Sequence, residues 1–241
     1  MAKSFLLKKN NKEIICIIPA RAGSRGIKNK NIVKVRNKAL INYTIETAIK
    51  LKNYCDIIIS TDSKKILSKC IYKENLIING LRPKILSSST ALTKDVVKYE
   101  LDKTENLLKK EYKYILLLQP TCPIRDYKKI INAINLVKKK DVDSVLSISN
   151  VDANHPFRMK VKNNKYLKNF MNFKKENMEP RQSLPKVYLR SGSIYLISKK
   201  SFLKYNSLVG KKCVGIELVG NETINIDNKD DLEFLKFKLK C

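Results

Sequence analysis

Apolar residues follow two alternating rhythms along this chain. Short continuous runs rich in β-branched residues, such as Ile14 to Ile18, suit strands covered on both faces. Between them, apolar positions fall about four apart, as at Ile41, Ile45 and Ile49, which suits helices covered on one face. This pattern predicts strands at Ile14 to Ile18, Asp56 to Ser60, Tyr114 to Leu118 and Ser144 to Ser149. It predicts helices at Leu40 to Leu51, Ser63 to Tyr72 with Ser63 as N-cap, Lys94 to Lys109 and Asp126 to Lys139. Such alternation predicts an α/β fold with a doubly wound, mostly parallel sheet. Ligands of these sheets sit beyond the carboxyl ends of the strands, where Arg21, Asp62 and Gln119 fall.

The rhythm breaks between Val151 and Pro185, a polar, irregular stretch with Asn163-Asn164 predicted as a turn between short strands. It resumes at Ser193 to Ile197 and Cys213 to Leu218, and a helix near Lys229 to Lys240 closes the chain. One domain over residues 1–241 is expected, with 151–185 as an excursion too long for a simple connection.

Composition narrows the picture. A chain of 241 residues, 43% hydrophobic, can bury one substantial core. No apolar run approaches the ~18 residues of a spanning helix. The basic start has only Phe5 to Leu7 as an apolar segment, below the ~7–15 residues of a secretory signal, so a cytoplasmic protein without a membrane partner is expected. Six cysteines show no Cys-x-x-Cys spacing, and the lone His155 gives them no zinc-site partner, so reduced structural thiols are expected. The net charge of +28 raises the alternative of a basic nucleic-acid-binding protein. Its lysines are scattered, however, and its aromatics are dispersed rather than interleaved with a basic patch, so no specific nucleic-acid partner is expected.

The sharpest chemical signal follows the first strand. Pro19-Ala20-Arg21-Ala22-Gly23-Ser24-Arg25-Gly26-Ile27-Lys28-Asn29-Lys30-Asn31 combines glycines with four cations. Glycines admit close backbone approach, and fixed Arg and Lys groups offset phosphate charge, so the loop suits a polyphosphate. Neither the Walker A spacing nor Gly-x-Gly-x-x-Gly is present.

This loop resembles the signature of the N-acylneuraminate cytidylyltransferases, with Arg25 where the family has Lys and Lys28 where it often has Pro. Further motifs follow in family order. Ser60-Thr61-Asp62 is one, although taken alone it reads as a strand end with Asp62 or Ser63 capping the next helix. Leu81 to Thr90 resembles the segment lining the family's cytosine pocket, with Ser88 at the matching hydroxyl and Ser89 where Asp is frequent; alone, it is a serine-rich loop. Gln119-Pro120-Thr121-Cys122-Pro123-Ile124-Arg125 presents Gln119 from a proline-fixed turn, with Cys122 replacing the family's Ser. Pro180-Arg181-Gln182-Ser183-Leu184-Pro185 follows, where Arg181 reads equally as a carboxylate partner or a surface turn residue. Arg190 to Tyr195 matches another family stretch, with Ser191 replacing Asn. In Ile224-Asn225-Ile226-Asp227, Asn225 stands where the family has the first of two Asp on one strand face; Asp227 alternatively reads as a helix cap.

The resemblance implies a Rossmann-like nucleotidyltransferase fold. It implies activation of a sialic-type nonulosonic acid by CTP, or of a legionaminic, pseudaminic or Kdo-type acid by the same chemistry. Arg21 and Lys30 would be catalytic; Ala20, Arg21, Gly23, Ser24, Arg25, Lys30, Asn31, Ser88 and Gln119 would bind CTP. Gln119, Arg181, Gln182 and Tyr195 would face the sugar. Asp227 with Asn225 would take Mg2+, with Mn2+ as a substitute. The excursion would serve a homodimer.

Overall fold

The computed structural model of the protein describes residues 12–24, 26–151, 153–172 and 178–239. Its strands are β1 (Ile14–Pro19), β2 (Lys34–Val35), β3 (Lys38–Ala39), β4 (Cys55–Ser60), β5 (Tyr114–Leu117), β6 (Ser144–Asn150), β7 (Lys160–Asn163), β8 (Tyr166–Asn169), β9 (Tyr188–Ser198) and β10 (Cys213–Glu217). Its α-helices are α1 (Leu40–Ile49), α2 (Lys64–Lys69), α3 (Thr93–Leu108), α4 (Tyr127–Val137), α5 (Lys199–Tyr205) and α6 (Lys229–Lys238).

The unbroken apolar run of β1 follows from its position inside a sheet ordered β10-β6-β9-β5-β1-β4. Its alternate residues serve two cores. Ile14, Cys16 and Ile18 pack with Ile41, Ile45 and Ala48 of α1 and Ile130 and Ile134 of α4. Ile15 and Ile17 face the other side, with Val97 and Leu101 of α3 and Phe202 of α5. A third, smaller cluster joins Ile27 of the first loop to Val35, Leu40, Ile224, Ile226, Leu232 and Leu235. It ties the β1 loop to the segment that leads into α6.

Five of the six sheet strands run parallel, as the strand–helix alternation predicts, while β9 runs antiparallel to both β5 and β6. That reversal is the main topological difference from the sequence reading. It depends on which neighbours accept the strand after the excursion, and apolar periodicity carries no direction. β9 also begins at Tyr188, five residues before the predicted start, because pairing with β6 extends its partly exposed end past a register shift. Helix α5 has no counterpart in the prediction. Helix α2 stops at Lys69 because Cys70 turns extended, while Ser63 caps its start by accepting from Ile66 N at 3.3 Å. In the excursion, β7 and β8 form a hairpin one residue out of the predicted register. Asn163 pairs with Tyr166, and Asn164 takes the left-handed conformation at φ 52°. His155 fastens the base of this excursion, its Nε2 bonding Pro185 O at 3.0 Å while Nδ1 accepts from Phe157 N at 3.2 Å.

Below the sheet, at the end away from the first loop, Asp56 gathers three partners. Its carboxylate accepts from Lys110 Nζ and Tyr112 Oη, both at 2.7 Å, and pairs with Lys12 Nζ at 3.1 Å. Burial pushes this carboxyl up, but the hydrogen bonds from Lys110, Tyr112 and Lys12 together outweigh it and hold the group below its ordinary value. A lowered folded-state value adds stability above the unfolded carboxyl's ~3.9 and loses it as pH falls through the folded value. Asp56→Asn is therefore expected to cost about 1–3 kcal/mol at neutral pH. Urea unfolding should show that gap narrowing below pH ~4; an undiminished gap there would contradict the assignment.

Candidate functional site

Loops from the carboxyl ends of the parallel strands converge on a cavity of ≈ 560 Å3. Arg21, Ser24, Lys30 and Asn31 enter from the loop after β1, Gln119 to Thr121 from the turn after β5, and Asn225 and Asp227 from the segment before α6. The loop between α2 and α3 supplies Arg82, Leu86, Ser88 and Ser89, and the first turns of α3 supply Thr93 and Val96. The N-terminus of a 16-residue helix thus opens onto the cavity, and its aligned peptide dipoles favour an anion there.

Each loop is tied to another. Ala22 N donates to Asp62 Oδ1 at 2.8 Å, so Asp62 anchors the first loop while Ser63 does the capping. Asn31 Nδ2 donates to Arg21 O at 2.9 Å, and Arg21 Nη1 donates to Ser88 O at 2.5 Å, bridging two loops. Lys30 Nζ donates to Ile226 O at 2.6 Å and pairs with Asp227 Oδ1 at 3.2 Å. Gly26 is there because nothing larger fits: a Cβ on it would lie 2.1 Å from Asp227 O. Gly23, by contrast, has open space around it.

The segment 224–227 alternates as predicted, with Ile224 and Ile226 buried in the third cluster and Asn225 and Asp227 on the cavity side. Ile226 N donates to Thr121 O at 2.8 Å, which fixes the segment against the β5 turn. Asp227 is not the cap of α6. Asn228 is, in a box with Asp231, and the Asp227 side chain is left to the cavity. Its Oδ2 accepts from Asn225 Nδ2 at 2.5 Å. Asn225 Oδ1 lies 3.5 Å from Cys122 Sγ. Burial pushes the Cys122 thiol up, which keeps it protonated and no nucleophile.

Two arginines missed as site residues hold the walls. Arg82 is 5% exposed, donates from Nε to Ser87 Oγ at 3.1 Å and from Nη1 to Ser60 Oγ at 3.3 Å, and faces the cavity. Burial lowers its pKa, while Asp62 and Glu100 hold it up. Arg125 donates from Nε to Ser193 O and from Nη1 to Thr44 Oγ1, both at 2.9 Å, and from Nη2 to Gln119 O. The residue keeps some exposed surface, yet its guanidinium is enclosed and burial brings its pKa down to about 10. Both arginines lie inside runs that stand out in the sequence, within two residues of a proline. Their burial, which separates a wall residue from a surface cation, is not written in those runs.

The remaining candidates are distributed unevenly. Ala20 is fully buried behind the loop, and its N–H is bonded to Ser60 O at 2.8 Å. Tyr195 does not line the cavity, but its hydroxyl lies beside Gly192, as does Gln119 Oε1. Gly192 has φ 78°, and a Cβ there would stand 3.2 Å from that Gln119 oxygen. Arg181 and Gln182 lie in a 3-10 turn of the excursion and do not line the cavity of this single chain. Arg25 lies outside the described residues.

Among the described residues the cavity is lined by Arg21, Lys30 and Arg82 against one carboxylate, Asp227. That balance suits a polyanion. No group of three or more His, Cys, Asp or Glu that could hold a metal occurs among the described residues. Asp227 offers a hard cation one charged oxygen ligand, too few by itself for the roughly six or more oxygens that such a cation takes.

A sequence model of the family described as Cytidylyltransferase matches residues 15–216. The chain is 32% identical over 230 residues to Post-translational flagellin modification protein B of Campylobacter coli, covering 95% of each. It is 30% identical over 227 residues to CMP-N,N'-diacetyllegionaminic acid synthase of Campylobacter jejuni, covering 93% of this chain and 94% of that one. With N-acylneuraminate cytidylyltransferase of Streptococcus agalactiae serotype V it shares 29% identity over 219 residues, 90% of this chain but only 51% of that longer protein. Among solved structures, CMP:2-keto-3-deoxy-manno-octonic acid synthetase complexed with CTP has the same fold, with a TM-score of 0.64 at 14% identity over 95% of this chain and 99% of that one. No helix among the described residues is long and apolar enough to cross a membrane.

The two loop glycines give a paired prediction. Gly26→Ala forces the first loop off the Asp227 backbone and should cost about 1–3 kcal/mol, as overpacking does. Gly23→Ala should change stability little, because nothing lies within 4 Å of the added carbon. Thermal unfolding of both variants checks this, and equal shifts would contradict it.

Proposed function

The chain belongs to the cytidylyltransferase family, and on that premise we propose that it joins CTP to a nonulosonic acid, giving a CMP-sugar and pyrophosphate. One observation carries the reading: a single cavity gathers Arg21, Lys30, Ser88, Gln119 and Asp227 from four separate loops. These residues are far apart in sequence and belong to the motifs that resemble this family. The sugar's anomeric hydroxyl attacks the α-phosphorus in line, and pyrophosphate leaves. Little covalent chemistry falls to the protein, so catalysis is positioning and charge stabilisation. Arg21 and Lys30, with Arg82 behind them, offset the charge that grows on the leaving phosphates. Ser88 and the first-loop backbone read the pyrimidine edge, and Asn31 holds the loop in shape through the Arg21 carbonyl. Arg125 fixes the Gln119 backbone, so the Gln119 amide meets the sugar in a set orientation. Asp227, with Asn225 beside it, would hold magnesium, which when bound neutralises phosphate charge.

The sugar is read as an N-acylneuraminate, with legionaminic, pseudaminic and Kdo-type acids as alternatives. Near-equal identities to relatives named for two different sugars do not choose among them. Tyr195 and Gln119 would border the sugar side, while Arg181 and Gln182, which lie outside this cavity, would face the sugar only by the family resemblance. That excursion exposes Val161, Tyr166, Leu167 and Phe170 on its hairpin and nearby turn. A hairpin with so much apolar surface supports a homodimer in which the excursion meets a second copy.

Pyrophosphate release measured with CTP across a panel of nonulosonic acids tests the whole reading. One acid of the panel should be strongly preferred, and CTP should far exceed ATP and GTP, whose larger bases leave the pocket's polar groups unpaired. No release with any acid, or equal use of ATP, would overturn it. In the same assay Arg21→Ala should lower turnover about 10²–10³-fold, the usual cost of one positioned charge contact. Its unfolding temperature should fall by no more than about 2–4 °C, since only the exposed hydrogen bond to Ser88 O is lost; near-normal turnover would remove the first loop from the chemistry.

A further inference from the structure

We propose that this cavity has no divalent-cation site of its own and receives the metal only together with the nucleotide, with Asn225 as the residue that makes this so. The inference rests on the CTP reading above and concerns what the protein does before CTP arrives. Among the described residues the cavity is lined by one carboxylate, and each of its oxygens already has a polar partner. Lys30 Nζ lies 3.2 Å from Asp227 Oδ1 and is held there by a second bond, 2.6 Å to Ile226 O. Asn225 Nδ2 lies 2.5 Å from Asp227 Oδ2. The Asp227 side chain is 68% exposed, so space remains beside it, but the ammonium already offsets the one charge on offer to a metal ion.

The orientation of Asn225 matters as much as its neutrality. Its amide turns the donor end to Asp227, and its acceptor end lies 3.5 Å from the Cys122 thiol. Cys122 is itself buried and within 3.5 Å of Ser191 O. The amide carbonyl, which alone could ligate a cation, therefore points at the thiol. Three residues that depart from the family motifs, Cys122, Ser191 and Asn225, form one contact chain. Hard cations need several oxygen ligands, and magnesium sheds water reluctantly. A site offering one carboxylate, already paired with an ammonium, cannot compete with water for a free ion.

A triphosphate changes the balance on both sides. It brings its own oxygens to the metal, and it gives Lys30 an anionic partner to replace Asp227. Lys30 moves from carboxylate to phosphate without ever being left unpaired, and Asp227 is released as its charge is needed. At position 225 an aspartate would restore a second carboxylate, two residues from Asp227 on the same side of the segment.

Manganese, read by the electron-spin resonance of the free aqueous ion, tests this on the full chain. Wild-type protein without nucleotide should leave the free-ion signal undiminished, whereas Asn225→Asp should bind manganese at least about tenfold more tightly, a change on the scale of a metal-site perturbation. With CTP and no sugar, wild-type protein should retain manganese. Calorimetry of CTP without metal provides the control for folding and nucleotide binding in both proteins. Manganese bound by wild-type protein alone as tightly as by the variant overturns the proposal while leaving the CTP reading intact. A variant that binds CTP but gains no manganese overturns the role of Asn225. CTP that fails to bind wild-type protein at all overturns the CTP reading, and this proposal with it.

Discussion

The site depends on the docking of the loop after β1 onto the segment that precedes α6. Lys30 reaches 196 positions along the chain to Ile226 O, and Gly26 lies against the Asp227 backbone so closely that no side chain fits between them. Ile27 and Ile226 are buried in the same small cluster beneath this contact. Without that docking, the cations of the first loop and the carboxylate of the last segment would have no common cavity. The apolar cluster supplies the binding force, and the polar contacts set the register, since Lys30 donates to both Ile226 O and Asp227 Oδ1.

Around this junction the remaining loops are fastened in series. Asp62 holds the Ala22 N–H, Arg21 holds the Ser88 carbonyl, and Arg125 holds the Gln119 carbonyl and the β9 bulge at Ser193. The first two bonds join one loop to another, and Arg125 braces the turn after β5 internally and ties it to β9. The consequence is a set of groups held in place before substrate arrives, which is what stabilisation of developing phosphate charge requires. Buried arginines serve as fasteners here because one planar guanidinium can satisfy several carbonyls at once. Asn225 adds a further level of control by occupying the Asp227 oxygen that Lys30 leaves open.

Much of this was legible in the sequence, for definite reasons. Strands β1, β4 and β5 are buried on both faces, so their apolar runs are continuous and their positions readable within a residue or so. The alternation of Ile224 and Ile226 with Asn225 and Asp227 announces its two faces directly. What escaped are features that depend on partners distant in sequence. The direction of β9 is set by its neighbours β5 and β6, both on the other side of the excursion in sequence, and periodicity is blind to direction. Asn228, rather than Asp227, caps α6, a one-residue choice fixed by the reciprocal bond with Asp231. Arg82 and Arg125 look like surface cations because burial is a property of the assembled walls. The excursion's sugar-facing candidates, Arg181 and Gln182, lie outside this cavity, and a motif match alone carries no distance.

The central claim is that this cavity directs a sugar oxygen onto the α-phosphorus of CTP. A heavy-oxygen label in the sugar's anomeric hydroxyl, followed by phosphorus NMR of the products, tests it most directly. The account predicts that the label stays with the sugar and enters the bridge to phosphorus, shifting the CMP-sugar resonance and leaving pyrophosphate unlabelled. Label appearing in pyrophosphate, or lost to water while CTP is consumed, would contradict it.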